Sequence, residues 1–290
     1  MSSSASQEAT PSILSQASSH AGDQLHRESI RHLIAKSDAF VVSHVTPHAM
    51  GRIDKERGED GQGFRVFLYR SENEILFITI PTHTHEVNHL RLDRLCYDIA
   101  AGMGLGSEWA PVGATTYEKR DSVTNIIYTQ GEGDSGMRPL YQRPAPGGFP
   151  TLVIEAGVTQ SRSSLRMKAN WWFATSENHV KIVLLVKVDF RDKSIVIEKW
   201  KAESQNPPSV ARRITRAATR AAQALTPTAV QTVTIKRAAG IGPTSPRKGL
   251  LRLEFENLFL RQPTGNESDI ILGTTELQVY ASDVWRTLNT

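Results

Sequence analysis

The fold is decided by the stretch Pro150–Trp200, which reads PTLVIEAGVTQSRSSLRMKANWWFATSENHVKIVLLVKVDFRDKSIVIEKW. Its first segment, Thr151–Ala156, is a short run of β-branched and apolar residues that follows a Pro/Gly-rich loop. Such a run predicts a buried strand, and Gly157 ends it. One carboxylate, Glu155, lies near the end of this strand, so an acid is expected at the edge of the protein core.

The remainder of the stretch predicts a helix followed by two strands. The serines of Ser161–Ser164 can cap a helix that runs to about Ser176. The segment Val180–Val188 is almost entirely apolar, which is typical of a central strand covered on both faces. After a turn, Ile195–Trp200 is predicted to return as a neighbouring strand.

Segments on both sides extend this alternation of helices and strands. Upstream, Phe64–Arg70 and Glu74–Ile80 predict a hairpin, Thr82–Met103 predicts a long helix, and the polar, charged segment Thr46–Gln62 predicts a loop. Downstream, the alternating segment Leu250–Phe259 predicts an edge strand. The expected class is α/β, with a mixed sheet flanked by helices.

Composition predicts three regions in the 290-residue chain. Residues 1–22 are rich in Ser, Ala and Gln and predict a disordered tail. Residues 23–225, beginning with a short amphipathic helix at Asp23–Lys36, predict the core domain. Residues 226–290 predict a C-terminal β/α extension that is either a small appended unit or part of the same sheet.

Charge and cysteine content limit the class of protein. No run of about 18 apolar residues occurs, so no transmembrane helix and no membrane partner are expected. The only cysteine, Cys96, excludes an intrachain disulfide and a cysteine-rich zinc site, which favours an intracellular protein of the cytoplasm or nucleus. The net charge of +4 is compatible with a polyanion such as nucleic acid as partner.

Two acids and a cation make the first candidate site. Asp134 follows a glycine-rich turn, Glu155 ends the buried strand, and Lys168 lies on the helix that follows. Two carboxylates can hold Mg²⁺ or Mn²⁺, and a nearby lysine can orient a water or stabilise phosphate charge. The alternative is structural: Asp134 in a turn and Glu155 bonded to a helix end.

Five segments recur in the order known from one nuclease family. They are Thr84-His85-Glu86, Ala110-Pro111-Val112-Gly113, Gly133-Asp134-Ser135, Pro150–Glu155, and Thr159-Gln160-Ser161 leading into the helix with Lys168. In this order the region from about Pro81 to Trp200 resembles the restriction endonuclease family of the PD-(D/E)XK nuclease superfamily.

The resemblance implies a restriction-endonuclease-like sheet and metal-dependent hydrolysis of phosphodiester bonds. Asp134 and Glu155 would hold Mg²⁺ or Mn²⁺, Glu86 would be an additional acid, and Lys168 would be the displaced lysine that orients the attacking water. The strand position usually held by that lysine is Gly157. A catalytically inactive descendant that binds nucleic acid or a protein therefore remains the alternative.

The sequence His85-Glu86-Val87-Asn88-His89 is an HExxH motif on a predicted helix. In zinc peptidases the two histidines of this motif bind the ion and the glutamate activates water. No third ligand follows at a recognisable spacing, so a zinc hydrolase is the third hypothesis.

A basic stripe completes the set of candidates. Arginines spaced by four residues lie on a predicted Ala/Arg helix at Ser209–Leu225, together with one neighbour: Arg212, Arg213, Arg216 and Arg220. Such a stripe can follow the phosphates of a nucleic acid. Its structural alternative is a solvated face of an alanine-rich helix.

Overall fold

The computed structural model of the chain describes residues 39–60, 63–113, 115–145, 147–204, 225–237 and 250–287. The predicted tail of residues 1–22, the predicted helix Asp23–Lys36 and the arginines of the basic stripe lie outside these ranges. Among the residues that are described, no helix is long and apolar enough to cross a membrane.

The elements up to the middle of the chain are β1 (Ala39–Val42), α1 (Pro47–Asp60), β2 (Arg65–Arg70), β3 (Ile75–Thr79), α2 (His83–Gly102), β4 (Trp109–Pro111), β5 (Thr116–Arg120), β6 (Ile127–Glu132) and β7 (Ser135–Pro139). They are followed by β8 (Leu152–Gly157), α3 (Arg162–Thr175), β9 (Ile182–Asp189), β10 (Ser194–Ser204), β11 (Leu225–Lys236), β12 (Leu251–Leu253), α4 (Phe255–Phe259), β13 (Ile270–Leu272) and α5 (Thr274–Arg286).

The larger sheet has six strands in the order β11-β10-β9-β8-β7-β4. Its strands β8 and β9 are parallel and are connected through α3, whereas the other neighbours pair antiparallel. A parallel pair needs such a crossover, because a short turn can join only antiparallel strands. This mixed sheet, flanked by helices, confirms the predicted α/β class.

A second sheet has five strands in the order β1-β3-β2-β6-β5. Its last strand in the chain, β6, is followed after two residues by β7 of the larger sheet. The chain therefore passes from one sheet to the other through Gly133 and Asp134. This passage brings the ends of both sheets to the position of Asp134.

The hydrophobic residues form separate clusters on the two faces of the larger sheet. Ile154 packs with residues of α2, α4 and α5 on one face, and Val153 packs with Leu165 and Trp172 of α3 on the other. Because side chains alternate along a strand, Glu155 shares the α3 face with Val153. The sheet thus directs this acid into the protein interior.

Two local predictions were wrong. Thr46–Gln62 was expected to be a loop, but Pro47–Asp60 forms α1. Thr46 Oγ1 accepts a hydrogen bond from the amide of Ala49, and proline is favoured in the first helical position. The helix lacks a wide apolar stripe, since Met50 is its one fully buried hydrophobic side chain among those described, so its periodicity was weak.

The second wrong prediction concerns the C-terminal segment. Only Leu251–Leu253 of the expected strand Leu250–Phe259 is extended, and Phe255–Phe259 is the helix α4. Phe255 and Phe259 stack with ring centres 4.6 Å apart, as residues four positions apart on a helix can.

The predicted boundary at residue 225 coincides with the first residue of β11, which pairs with β10 in the larger sheet. Side chains of the C-terminal elements, among them Leu253 and Tyr280, belong to the same hydrophobic cluster as Ile154 of β8. The C-terminal β/α segment therefore shares a core with the larger sheet.

Candidate active site

The first turns of α2 provide three polar side chains on the side of the sheet. Thr82 caps the helix, because its Oγ1 accepts a hydrogen bond from the amide of His85 at 3.2 Å. His85 and His89 are separated by one helical turn, and each is only 1% exposed. Glu86, between them in sequence, is 31% exposed. The HExxH motif therefore directs both imidazoles inward.

Asp134 connects α2 to the two sheets. Its Oδ2 accepts a hydrogen bond from the amide of Ala156 in β8 at 2.8 Å, and its Oδ1 lies 3.0 Å from Nε2 of His85. Burial raises the pKa of Asp134, but the charges of His85 and His89 and the bond from the Ala156 amide outweigh this effect. The net result is a pKa below the ordinary value, so this carboxylate stays ionised.

Arg65, at the start of β2, binds two acids at once. Its guanidinium lies 3.1 Å from Oδ1 of Asp134 and 2.9 Å from Oε1 of Glu86. The contact with His89 lowers the pKa of Glu86, and the charge of Arg65 lowers it further. Partial burial acts in the opposite direction. Arg65 thus offsets the negative charge of both carboxylates.

His89 contacts both strand and helix. Its Nδ1 lies 2.7 Å from Oγ of Ser135, and its Nε2 lies 3.4 Å from Oε2 of Glu86 without hydrogen-bond geometry. The serine therefore fixes the orientation of the ring. Nε2 of His89 faces the carboxylate of Glu86.

Glu155 and Lys168 lie deeper, on the α3 face of the sheet, and neither has exposed surface. Oε1 of Glu155 accepts a hydrogen bond from the indole of Trp172, while no described residue forms a hydrogen bond with its buried Oε2. Burial raises the pKa of Glu155 well above its ordinary value, although the charge of Lys168 acts in the opposite direction.

Lys168 is surrounded by aromatic rings. Its Nζ lies 4.4 Å from the ring centre of Trp171 and donates a hydrogen bond to the carbonyl of Phe67 in β2. Burial lowers the pKa of Lys168, whereas the charges of Glu155, Asp134 and Glu132 raise it. Lys168 and Glu155 therefore interact electrostatically inside the core.

Gly131 at the end of β6 and Gly133 in the passage to β7 leave space for side chains of α3. A Cβ atom at Gly131 would overlap Nζ of Lys168 and the ring of Trp171. A Cβ atom at Gly133 would lie 3.2 Å from the ring of Trp172, tighter than an ordinary contact. This crowding gives a physical reason for glycine at position 133.

A cleft of about 180 Å³ opens beside Asp134. Its walls come from β2, α2, the segment after β4, and β7, and the residues that line it are Arg65, Glu86, His89, Leu90, Asp93, Pro111, Gly113, Asp134, Ser135 and Gly136. The four predicted site residues therefore divide: Asp134 and Glu86 line the cleft, whereas Glu155 and Lys168 lie in the core behind it.

Sequence reasoning missed two residues of this site. Arg65 begins an apolar strand, and its two carboxylate partners lie 21 and 69 positions further along the chain. Ser135 follows Asp134 directly, but no pattern indicated that its hydroxyl would reach His89. The adjacency of Ser135 to Asp134 was the only available signal for either residue.

Comparisons with known proteins include a distant likeness to a solved structure. No family model matches the chain, and no curated protein matches it. A solved structure from Anabaena variabilis ATCC 29413, described as a "putative nuclease belonging to DUF820", is similar over 53% of this chain and 83% of that one. With 10% sequence identity and a TM-score of 0.33, this likeness carries no argument about function.

Proposed function

We propose that the protein is a metal-dependent nuclease that hydrolyses phosphodiester bonds at the cleft beside Asp134. The supporting observation is the convergence of Asp134, Glu155 and Lys168 from three elements into one buried, electrostatically interacting group. Burying an ionised group costs several kcal/mol, so packing alone would favour apolar residues in these positions. Strongly perturbed ionisable groups beside a cleft are typical of catalytic sites.

The donor atoms fit a divalent cation. Oε2 of Glu155 is buried and has no hydrogen-bond partner in the described part of the chain, and Asp134 is a second carboxylate within its electrostatic range. Carboxylate oxygens are the ligands that Mg²⁺ and Mn²⁺ prefer in proteins. When bound, such an ion would polarise a phosphoryl oxygen and stabilise the charge that develops there.

The chain's own residues would perform the remaining tasks. Arg65, which is 20% exposed at the cleft, would donate hydrogen bonds to the non-bridging phosphate oxygens. Oε2 of Glu86 would accept one proton from the attacking water, since the lowered pKa of Glu86 keeps this carboxylate ionised. Lys168 has no exposed surface, so we assign it to stabilising the Glu155 carboxylate instead of orienting the water directly.

Hydrolysis forms one P–O bond and breaks another. The water oxygen forms a bond to phosphorus, and one ester P–O bond breaks. The oxygen that leaves takes up a proton from solvent and becomes a hydroxyl group. Glu86 returns its proton to solvent before the next turnover.

The test is a cleavage assay with plasmid DNA, single-stranded DNA and RNA in the presence of Mn²⁺. We expect Asp134→Asn and Glu155→Gln each to reduce cleavage at least about 100-fold, because each replaces a carboxylate oxygen ligand of the ion by an amide. Glu177→Gln, a change at an acid whose side chain is 78% exposed, should cleave like the wild type.

Two outcomes would contradict the proposal. One is cleavage that persists unchanged in Glu155→Gln. The other is a wild-type protein that neither cleaves these substrates nor binds Mn²⁺ in isothermal titration. If nucleic acid still bound in that second case, the non-catalytic binding module would be the better assignment.

A further inference from the structure

Three metal-ligating side chains of α2 lie together beside the cleft: His85, Glu86 and His89. One ligand atom from each lies within 4.8 Å of the other two. Two ligands of one zinc ion are at most about 4.2 Å apart, given metal–ligand distances of about 2.1 Å. Side-chain movements of under about 1 Å would therefore place all three ligand atoms around one ion.

Asp134 provides a fourth donor from the opposite wall. Its Oδ1 lies 3.0 Å from Nε2 of His85, which is a separation that two ligands of the same ion can have. The amide of Ala156 binds the other carboxylate oxygen and holds the group in place. Two imidazoles and two carboxylates from two elements thus converge on one point.

The contacts of His89 are those that a metal-binding histidine usually has. Ser135 occupies Nδ1 at 2.7 Å, and the buried Nε2 has no hydrogen-bond partner among the residues that the structure describes. Metal-binding histidines typically use one ring nitrogen for the ion and the other for a hydrogen bond that fixes the ring. Both imidazoles are 1% exposed, so their positions are determined by packing.

We propose that His85, Glu86 and His89, together with Asp134, bind a transition-metal ion of the Zn²⁺ or Co²⁺ type. Imidazole ligands favour these ions, whereas Mg²⁺ prefers oxygen ligands and water. Arg65 contacts both carboxylates and must withdraw when the ion binds; its partly exposed side chain can do so towards solvent. This site needs neither Glu155 nor Lys168, but it shares Asp134 and Glu86 with the proposed nuclease centre, so Glu155 is the residue that distinguishes the two.

The experiment is isothermal titration of Zn²⁺ into the full-length protein, with Co²⁺ absorption spectra as a second readout. We expect saturable Zn²⁺ binding that His89→Ala weakens at least about tenfold. His83→Ala is the matched control, since His83 is exposed on the same helix and should bind Zn²⁺ as the wild type does. Millimolar Mg²⁺ should not displace the Zn²⁺.

Glu155→Gln separates this site from the proposed nuclease centre. We expect it to leave Zn²⁺ affinity within about twofold of the wild type, because Glu155 is not a ligand here. Unchanged Zn²⁺ affinity in His89→Ala, or loss of Zn²⁺ binding in Glu155→Gln with retention in His89→Ala, would overturn the proposal.

Thermal melting checks that each variant is folded. If His89→Ala fails to fold, His85→Asn provides the second ligand variant, and its expected loss of affinity is the same. An octahedral Co²⁺ spectrum that is identical in the wild type and in the ligand variants would also contradict the site, because it would indicate an ion held without imidazole.

Discussion

Ser135 is a single small residue on which the geometry of the cleft depends. Its hydroxyl lies 2.7 Å from Nδ1 of His89, and its backbone follows directly on Asp134. One residue of β7 therefore orients an imidazole from a different element. A change at Ser135 should affect the orientation of His89 more than the fold.

For this reason Ser135→Ala should reduce the affinity for Zn²⁺ about tenfold, since it removes the hydrogen bond that orients a ligand. The free energy of unfolding should fall by only about 1 kcal/mol, because one ring nitrogen loses its partner. Isothermal titration and urea denaturation measure the two effects. The control is Ser107→Ala, at an exposed serine; equal Zn²⁺ affinity in the two variants would refute the role given to Ser135.

The buried charges show what a sequence can and cannot predict at the level of residues. A strand that ends in Glu155 and a helix that carries Lys168 were both predictable, because hydrophobic pattern and capping serines indicate such elements. The direction of Lys168 was not predictable. Its hydrogen-bond partner is the carbonyl of Phe67, 101 positions earlier in the chain, and only the packing of the two sheets brings them together.

At the level of elements, glycines at the end of β6 and in the passage to β7 determine how closely α3 approaches the backbone there. Gly131 and Gly133 have no side chain at the points where Lys168, Trp171 and Trp172 approach the backbone. The close packing of α3 against this passage thus depends on glycine. Larger residues would push the helix away from the strand that it covers.

We therefore expect Gly131→Ala to destabilise the protein by about 1–3 kcal/mol, because the added methyl group would overlap buried groups. Gly51→Ala is the matched comparison, since Gly51 lies exposed in α1 with no atom within 4 Å of the added carbon. That change should stabilise by about 0.5–1 kcal/mol, as expected for alanine in a helix. Urea denaturation compares the two; a Gly131→Ala protein at least as stable as the wild type would be the contrary result.

The helix α1 shows why the sequence pattern alone did not predict every helix. Met50 belongs to a small hydrophobic cluster, and the helix also makes polar contacts. Arg57 forms an ion pair with Glu132, and Asp54 accepts a hydrogen bond from Gln130. These partners lie in β6, far along the chain, so the local pattern contains too little hydrophobic periodicity to indicate a helix. The capping residue Thr46 and Pro47 were the local signals that favoured a helix there.

At the scale of the whole molecule, the C-terminal segment packs against the helix that carries the HExxH motif. Helix α5 packs on α2, where the hydroxyl of Tyr280 donates a hydrogen bond to Asn88 and Arg91 forms an ion pair with Asp283. Asn88 directly precedes His89. The position of the HExxH turn is thereby fixed by residues almost 200 positions further along the chain.

A chain that ends at Arg237 should consequently lose cooperative unfolding, because it lacks the buried side chains that α4, α5, β12 and β13 contribute to the main cluster. Tyr280→Phe is the milder variant, and it should cost about 1–3 kcal/mol by leaving the buried Asn88 carbonyl without its donor. Near-UV circular dichroism during denaturation follows both. A shortened chain that keeps a sharp transition would instead support a separate extension after residue 225.

Arg65 competes with any cation that binds Asp134 and Glu86. The guanidinium already lies between Asp134 and Glu86, so it is a competitor tethered to the same molecule. A tethered group acts at an effective concentration on the order of millimolar. A free cation that binds the carboxylates must displace Arg65, so the contacts of Arg65 raise the apparent Kd of the site for cations.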